Sequence, residues 1–330
     1  MRVLLLALAL GACSACADPP PAEQWRPIQT SALPVDLDRD RPGAHRIGQL
    51  IFRGGIELQS PDPAFGGYSG LWVDRDGRIV AVSDAGSWLQ ARLEIDPETA
   101  APLRLADARI ALMRDENGWI FTDRASADAE GLARLADGRF AVSFEHSNVV
   151  RFYELEREGP MARAAMGPPL AGVEALERNA TLEALAQLPD GRLLVGAERG
   201  AGRESPIWVR PLNAQTSAPP QSAIELPFGY GFVGADRLPG GDIVAVARFY
   251  APVVGVRIRI VRIAAASLET PHARAETLAE LGAGLNLDNF ESVAAVPLAR
   301  GGARLYLIAD DNFSPTQRTL LYVFDLPPSP

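Results

Sequence analysis

One pattern recurs along the chain: an apolar-rich run, a turn of Asp-Gly or Gly-Gly, and a second apolar-rich run. It occupies Ser69–Asp84, Glu130–Glu145, Glu183–Glu198 and Val233–Arg248, and returns at Glu291–Asp310 around Gly301-Gly302. Turn centres lie 61, 53, 50 and 61 residues apart. Such a dipeptide between apolar runs marks a hairpin, because a type I′ turn needs positive φ at both central residues. A further strand-like run follows each hairpin: Trp88–Ile95, Val149–Leu155, Ile207–Leu212, Val256–Ile263 and Thr319–Phe324. The nearest thing to a helix is the short segment Ala273–Leu281. Units of about 40 to 60 residues built from three or four strands are the blades of a β-propeller.

The expected fold class is therefore all-β, a propeller with five countable blades. The N-terminal run Arg46–Leu58 would add the outer strand of the C-terminal blade and close the ring. A degenerate sixth blade has room between Leu103 and Phe121. An elongated sandwich is the competing all-β reading, but sandwiches do not repeat a hairpin at this interval.

Charge and composition exclude several chemistries. The net charge is −9, from 41 acids against 32 bases, which is wrong for a protein that grips a nucleic-acid backbone. Every base is Arg and there is no Lys, so Schiff-base, pyridoxal-phosphate and Walker-type phosphate chemistry are ruled out. With His45, His146 and His272 as its histidines and Cys13 and Cys16 as its cysteines, the chain can hardly assemble a zinc site. A metal here would be held by oxygens.

The N-terminus reads as an address. Met1 and Arg2 precede the apolar run Val3–Leu10, which is too short to span a bilayer and has the layout of a secretory signal. Leu10-Gly11-Ala12-Cys13 resembles the lipobox of bacterial lipoproteins, in which the cysteine is acylated and becomes the first residue. The expectation is a signal peptide over 1–12, a lipid-anchored tether over 13–44 rich in Pro and Asp, and a propeller over 45–330. That places a monomer on the bacterial cell envelope facing the periplasm, touching the membrane only through the anchor, with simple secretion to the periplasm as the alternative.

The hairpins carry chemistry at the end opposite the turn. A two-residue turn would pair Ser69 with Asp84, Glu130 with Glu145, Glu183 with Glu198, Val233 with Arg248 and, nearly, Glu291 with Asp310. Of these ten positions seven are acidic (Asp84, Glu130, Glu145, Glu183, Glu198, Glu291 and Asp310), where the chain average predicts about 1.2. A propeller brings the ends of its inner hairpins to one mouth of the central channel, so a ring of carboxylates is expected. Crowded carboxylates raise one another's pKa unless a cation sits among them. Ca²⁺ suits an all-oxygen set, and Asp311, Asn289 and Asn312 lie close enough in sequence to add donors.

Arg248 breaks the acidic rule, and His146 and Arg199 each follow a ring Glu directly. Cation, Arg and His together suit hydrolysis of an anionic ester. Plainer readings exist for each: a solvated His beside a Glu, and Arg side chains that merely balance the acids. Gly67-Tyr68-Ser69-Gly70 fails as a nucleophile elbow, because Leu71 stands where the last glycine belongs.

Gly54-Gly55-Ile56-Glu57-Leu58, the run Pro61 to Leu71, Glu130-Gly131-Leu132 and the C-terminal stretch Asp310 to Leu321 together resemble the phytase-like family, described as having esterase-like activity. The likeness extends from about Arg46 to Leu326 and is most specific at its C-terminal end. It implies a propeller and hydrolysis of an ester, of a phosphate or a carboxylic acid, and carries no residue roles with it. Arg318 joins the candidates through its place in that stretch beside Asp310 and Asp311. The candidate catalytic groups are thus Glu130, His146, Arg199, Arg248 and Arg318; the candidate metal ligands are the seven ring acids and Asp311. Two alternatives stand beside the hydrolase: a non-catalytic binding propeller with a structural cation, and a Ca²⁺-dependent lactonase.

Overall fold

The computed structural model describes residues 24–177, 181–200 and 203–328. Five sheets form five blades, antiparallel throughout except where His272–Ala273 adds in parallel to Ser222–Glu225. Their innermost strands are Tyr68–Val73, Ala129–Arg134, Leu182–Gln187, Tyr230–Arg237 and Asn289–Pro297. Each touches the inner strand of the next blade and the last returns to the first, which closes a ring around a central channel. Third strands stand where expected, at Ser87–Ile95, Val149–Tyr153, Glu204–Arg210, Gly255–Ile263 and Thr319–Leu326.

The ring is closed by the N-terminal strand. Leu50–Gln59 pairs antiparallel with Thr319–Leu326, Ile56 opposite Leu321, and so becomes the fourth strand of the last blade. Joining the two ends of the chain in one sheet means that neither can leave without breaking a ladder of backbone hydrogen bonds. The stretch expected to hold a sixth blade is instead the fourth strand of blade one, Pro102–Leu112.

Two other expectations are corrected. The segment 13–44 is not all tether: Arg26–Pro27 pairs with blade one, Ser31–Val35 pairs with Leu50–Gln59, and Leu37 is buried. Ala273–Leu281 is not helical. Ala275–Leu281 pairs with Gly255–Ile263, burying Leu278 and Leu281 while Glu276 and Glu280 reach Arg262 and Arg259. Pairing to a neighbour decided the backbone there, as it commonly does for short segments.

Five apolar clusters hold the ring, one between each pair of adjacent blades. Between blades one and two Trp88 meets Tyr153 edge-on with ring centroids 5.2 Å apart, both fully buried. Burying one such side chain stabilises by about 1.5–3 kcal/mol. The blades are thus held to each other chiefly by side chains and within themselves by hydrogen bonds.

The hairpin turns differ from the expected two-residue type. Gly77, Gly138, Gly191 and Gly241 have φ of 79°, 98°, 87° and 97°, whereas Asp76, Asp137, Asp190 and Gly240 do not take positive values. The loops close by backbone bonds between Asp74 and Arg78, Leu135 and Arg139, Leu188 and Arg192, and Leu238 and Asp242. These are three-residue loops whose glycine alone occupies the left-handed region, a type I turn with a G1 bulge. The register is therefore one residue short of a two-residue turn.

Candidate functional site

A second irregularity lies at the other end of every inner hairpin. The register slips by one residue between Tyr68 and Gly70, beside Glu130-Gly131, between Leu182 and Ala184, between Phe232 and Gly234, and between Phe290 and Ser292. Ser69, Glu130, Glu183, Val233 and Glu291 are the residues set in these bulges. A bulge re-aims its side chain, and four of the five, Ser69, Glu130, Glu183 and Glu291, line the channel mouth. The glycine after the bulge is dictated by crowding: a Cβ on Gly70, Gly131 or Gly234 would stand 2.5, 2.5 or 2.3 Å from the carbonyl oxygen of Glu130, Glu183 or Glu291 in the next blade. At these three junctions backbone packs on backbone, which leaves no room for a side chain.

The acids meet, though not in the expected pairs. Two successive slips put Glu145 opposite Asp128 rather than Glu130, and Glu198 opposite Thr181. Asp84 lies opposite Gly67, Arg248 opposite Gly231 and Asp310 opposite Asn289. All seven ring acids nevertheless line one cavity of about 410 Å³ at the channel mouth. Asp128 joins them, which makes eight carboxylates against Arg124, Arg199, Arg248 and His146. With the three Arg charged and His146 neutral, full ionisation would leave a net charge of −5.

Three of the remaining positions fall elsewhere. Val233 is packed in the cluster between blades four and five. Asp311 is turned to the backbone, accepting from Gly67 and Phe313 N–H and from the Thr319 hydroxyl, and Arg318 donates to Asp288 and the Leu287 carbonyl. Both brace the C-terminal stretch behind the cavity wall. Asn312 lines the cavity, and Asn289 donates to Glu291 at 2.8 Å. Cys13 and the leader lie outside the described residues.

Arg124 and Asp128 are the members that sequence reasoning missed. Both sit in the connection that enters blade two, in and just after the short helix Arg124–Ala127 capped by Asp123. Asp128 had a signal: two residues before Glu130, it faces Glu145 once the bulge is allowed for. Arg124 had none, because it reaches Asp84 from a loop outside the repeat.

Charge is balanced unevenly around the mouth. On the side of blades three to five, Arg248 donates to Asn289 and, at 2.6 Å, to Glu291, and lies 3.6 Å from Glu198. Burial opposes its charge but Glu291, Glu183 and Glu198 outweigh that, and its pKa is raised. On the side of blades one and two the nearest bases are Arg124, which is exposed, and His146. Here Asp128, Glu145 and His146 each place a potential ligand atom within 4.8 Å of the others. His146 Nδ1 is 2.5 Å from Asp128 Oδ2 and 4.0 Å from Glu145 Oε2.

The carboxylates feel this crowding. Burial first, then their acidic neighbours, push Glu130 well above its usual range; Glu183 is pushed up by burial and Glu198. Burial and Glu291 raise Asp310 to about 9, and burial and Asp128 raise Glu145 to about 7. Burial also raises Glu291 and Asp84, although Arg248 and Arg124 pull the other way. Asp84 Oδ1 is buried with no hydrogen-bond partner. An unpaired buried carboxylate oxygen beside a set of crowded acids is costly, and a hard divalent cation relieves both conditions. The donors are oxygens apart from His146, whose Nδ1 is already engaged by Asp128, so the set fits Ca²⁺.

Fold and site together define a five-bladed β-propeller with an acid-lined channel mouth. The chain belongs to the phytase-like family, described as esterase-like activity of phytase, whose model matches residues 63–313. No curated protein matches it. Among solved structures it is similar to a protein provisionally described as a gluconolactonase, at 13% identity over 94% of this chain and 97% of that one, TM-score 0.44. It is similar also to the PQQ-bound aldose sugar dehydrogenase of Streptomyces coelicolor, at 11% identity over 91% and 99%, TM-score 0.41. A catalytically inactive virginiamycin B lyase from Staphylococcus aureus, with quinupristin, matches at 8% identity over 90% and 100%, TM-score 0.43. Likenesses of this strength say nothing of this chain's chemistry.

Proposed function

We propose that the protein is a Ca²⁺-dependent hydrolase of a small anionic ester, tethered to the bacterial cell envelope through Cys13 and acting at the acidic mouth. One observation carries this reading: eight carboxylates surround one cavity, and among the described residues the bases paired with those of blades one and two are exposed Arg124 on Asp84 and His146 on Asp128. Asp128, Glu145, Asp310 and Glu130 are the oxygen donors that would hold the cation. A bound Ca²⁺ would neutralise these carboxylates and act as a Lewis acid toward an ester oxygen.

The rest belongs to the chain's own side chains. A hydrogen bond from His146 to an ionised Asp128 requires the proton on Nδ1, which leaves Nε2 as the basic atom that takes a proton from water. Arg199 donates to Glu198 at 2.9 Å but is half exposed, and Arg124 is exposed at the rim. Both guanidinium groups stand where an anionic ester would enter. Arg248 is fully engaged by Asn289 and Glu291 and acts as the internal counter-charge.

The test is hydrolysis of aryl phosphate and aryl carboxylic esters by protein stripped with a chelator and then reloaded. Turnover should vanish on stripping, return with Ca²⁺, and stay absent in Glu130→Ala. Turnover that survives both chelation and the substitution rejects the reading. A rise in melting temperature with Ca²⁺ but silence across a broad ester panel would favour a structural cation in a binding propeller.

A further inference from the structure

Tyr250, Val253, Val254 and Phe228 are exposed apolar groups on the side that holds the acidic mouth. The strands Ile243–Ala251 and Gly255–Ile263 of blade four run past the mouth as a paired hairpin, from Arg248 opposite Ile258 to Ala251 opposite Gly255. Three residues at about 3.3 Å each carry its tip roughly 10 Å beyond Arg248. At the tip Val253 is 98% exposed and Tyr250 65% exposed, with Val254 close by at 46%. Phe228, 83% exposed, lies on the neighbouring loop that enters blade four, where Tyr230 packs on Phe249 with ring centroids 5.6 Å apart. Residues 249–257 contain one charge, Arg257, in a chain that is 22% charged and acidic overall. Exposed apolar groups are ordinary when scattered; two adjoining uncharged loops at one edge mark a contact surface.

The path of the N-terminus says what this surface meets. Arg26 pairs with Ile110 and Pro27 with Arg109, antiparallel to a strand that ends at the mouth with Leu112 opposite Ser87. The chain therefore enters blade one from the mouth side and runs away from it. Only eleven chain steps separate Gln24 from Cys13. Fully extended they reach at most about 40 Å. A lipid on Cys13 would hold the mouth side, not the turn side, toward the bilayer.

We infer that the hairpin tip Tyr250–Val254, with Phe228, docks on a lipid bilayer surface, so that the acidic mouth faces the membrane from which the chain is tethered. Uncharged apolar side chains on a short protruding hairpin can enter the headgroup region without taking a carboxylate with them. The hydrolase reading is not needed for this, although the two together would direct the site toward esters at the membrane surface. The orientation and the choice of a bilayer as occupant rest on the proposed anchor, while the contact itself is tested on unlipidated protein.

The experiment uses the mature chain from residue 13, unlipidated through Cys13→Ser and Cys16→Ser, with one new thiol at Val253→Cys or, on the turn side, Arg300→Cys. An environment-sensitive dye on that thiol is read with vesicles of phosphatidylethanolamine and phosphatidylglycerol at 3:1. The expected result is a blue shift with at least twofold brighter emission at position 253 and none at 300. A companion protein with Val253→Glu and Val254→Glu should lose at least tenfold in vesicle co-sedimentation, while its melting temperature and turnover of soluble esters stay unchanged. No shift at 253, an equal shift at 300, or a shift that needs only protein concentration and no vesicles overturns the proposal, the last outcome showing contact with a second copy. Loss of ester turnover in all these proteins with vesicle binding intact would refute the hydrolase reading alone.

Discussion

The two sides of the channel mouth are built on the same repeat and hold their acids differently. On the side of blades three to five the position that is acidic elsewhere is Arg248, and its guanidinium lies among Glu198, Glu291 and Asn289. On the side of blades one and two the equivalent residues are Asp84 and Glu145, with Asp128 added, and among the described residues exposed Arg124 and His146 face them. One side carries its own cation. The other must obtain one from solution or keep its acids protonated, and that contrast is why the second side is read as the working half.

The largest effect should come from removing the internal cation. Arg248→Ala strands Glu291 and Glu198 without their counter-charge, and breaking a buried pair in this way costs about 3–5 kcal/mol. Arg124→Ala removes an exposed partner and should cost no more than about 1 kcal/mol. Urea unfolding of the two variants checks the contrast; equal losses would mean that the halves are balanced alike. Gly131→Ala comes next. Its new Cβ would stand 2.5 Å from the Glu183 carbonyl oxygen and force the blades apart, for a loss of about 1–3 kcal/mol by the same measurement.

The pH dependence of stability sharpens the comparison. Asp310 is raised from 3.8 to about 9 and Glu145 from 4.5 to about 7, so between these limits the folded protein binds more protons than the unfolded chain. Stability of cation-free protein should therefore fall as pH rises from about 4 toward about 9. Saturating Ca²⁺ should flatten that slope, since the charged forms are then paired. Melting curves across the range, with and without Ca²⁺, read it directly; a slope that Ca²⁺ leaves untouched would place the titrating acids away from any cation. Of smaller effect on the fold, Asp128→Asn should leave melting within about 1 kcal/mol of stability and yet lower turnover by about 10²–10⁴-fold, because His146 loses the carboxylate that fixes its proton on Nδ1.

Much of this was legible from residues alone, and the failures have physical causes. The hairpin interval revealed the blade count, and Leu50–Gln59 could be assigned to the last blade because that unit lacked an outer strand. Convergence of Glu130, Glu183, Glu198 and Asp310 followed from their common place in the repeat. The pairing did not, because Asp-Gly serves equally in a two-residue turn and in the three-residue loop found here, where only Gly138 and its equivalents take positive φ. The bulge at the channel end has no compositional mark beyond the glycine that follows it in three blades. Arg124 was out of reach for a different reason: it enters the site from a connection, where no period exists to place it. Asp311 and Arg318 show the opposite error, since proximity in sequence to Asp310 put them on the list and their side chains point to the scaffold.

The claim on which the account turns is that Glu130, Glu145 and Asp310, whose carboxyl groups burial and acidic neighbours push up, hold protons until a cation replaces them. Calorimetric titration with Ca²⁺ at pH 7.5, repeated in two buffers of different ionisation enthalpy, measures it without reference to any substrate. The account predicts saturable binding whose heat differs between the buffers, with proton release on binding. Absence of binding, or binding whose heat is the same in both buffers, would contradict it.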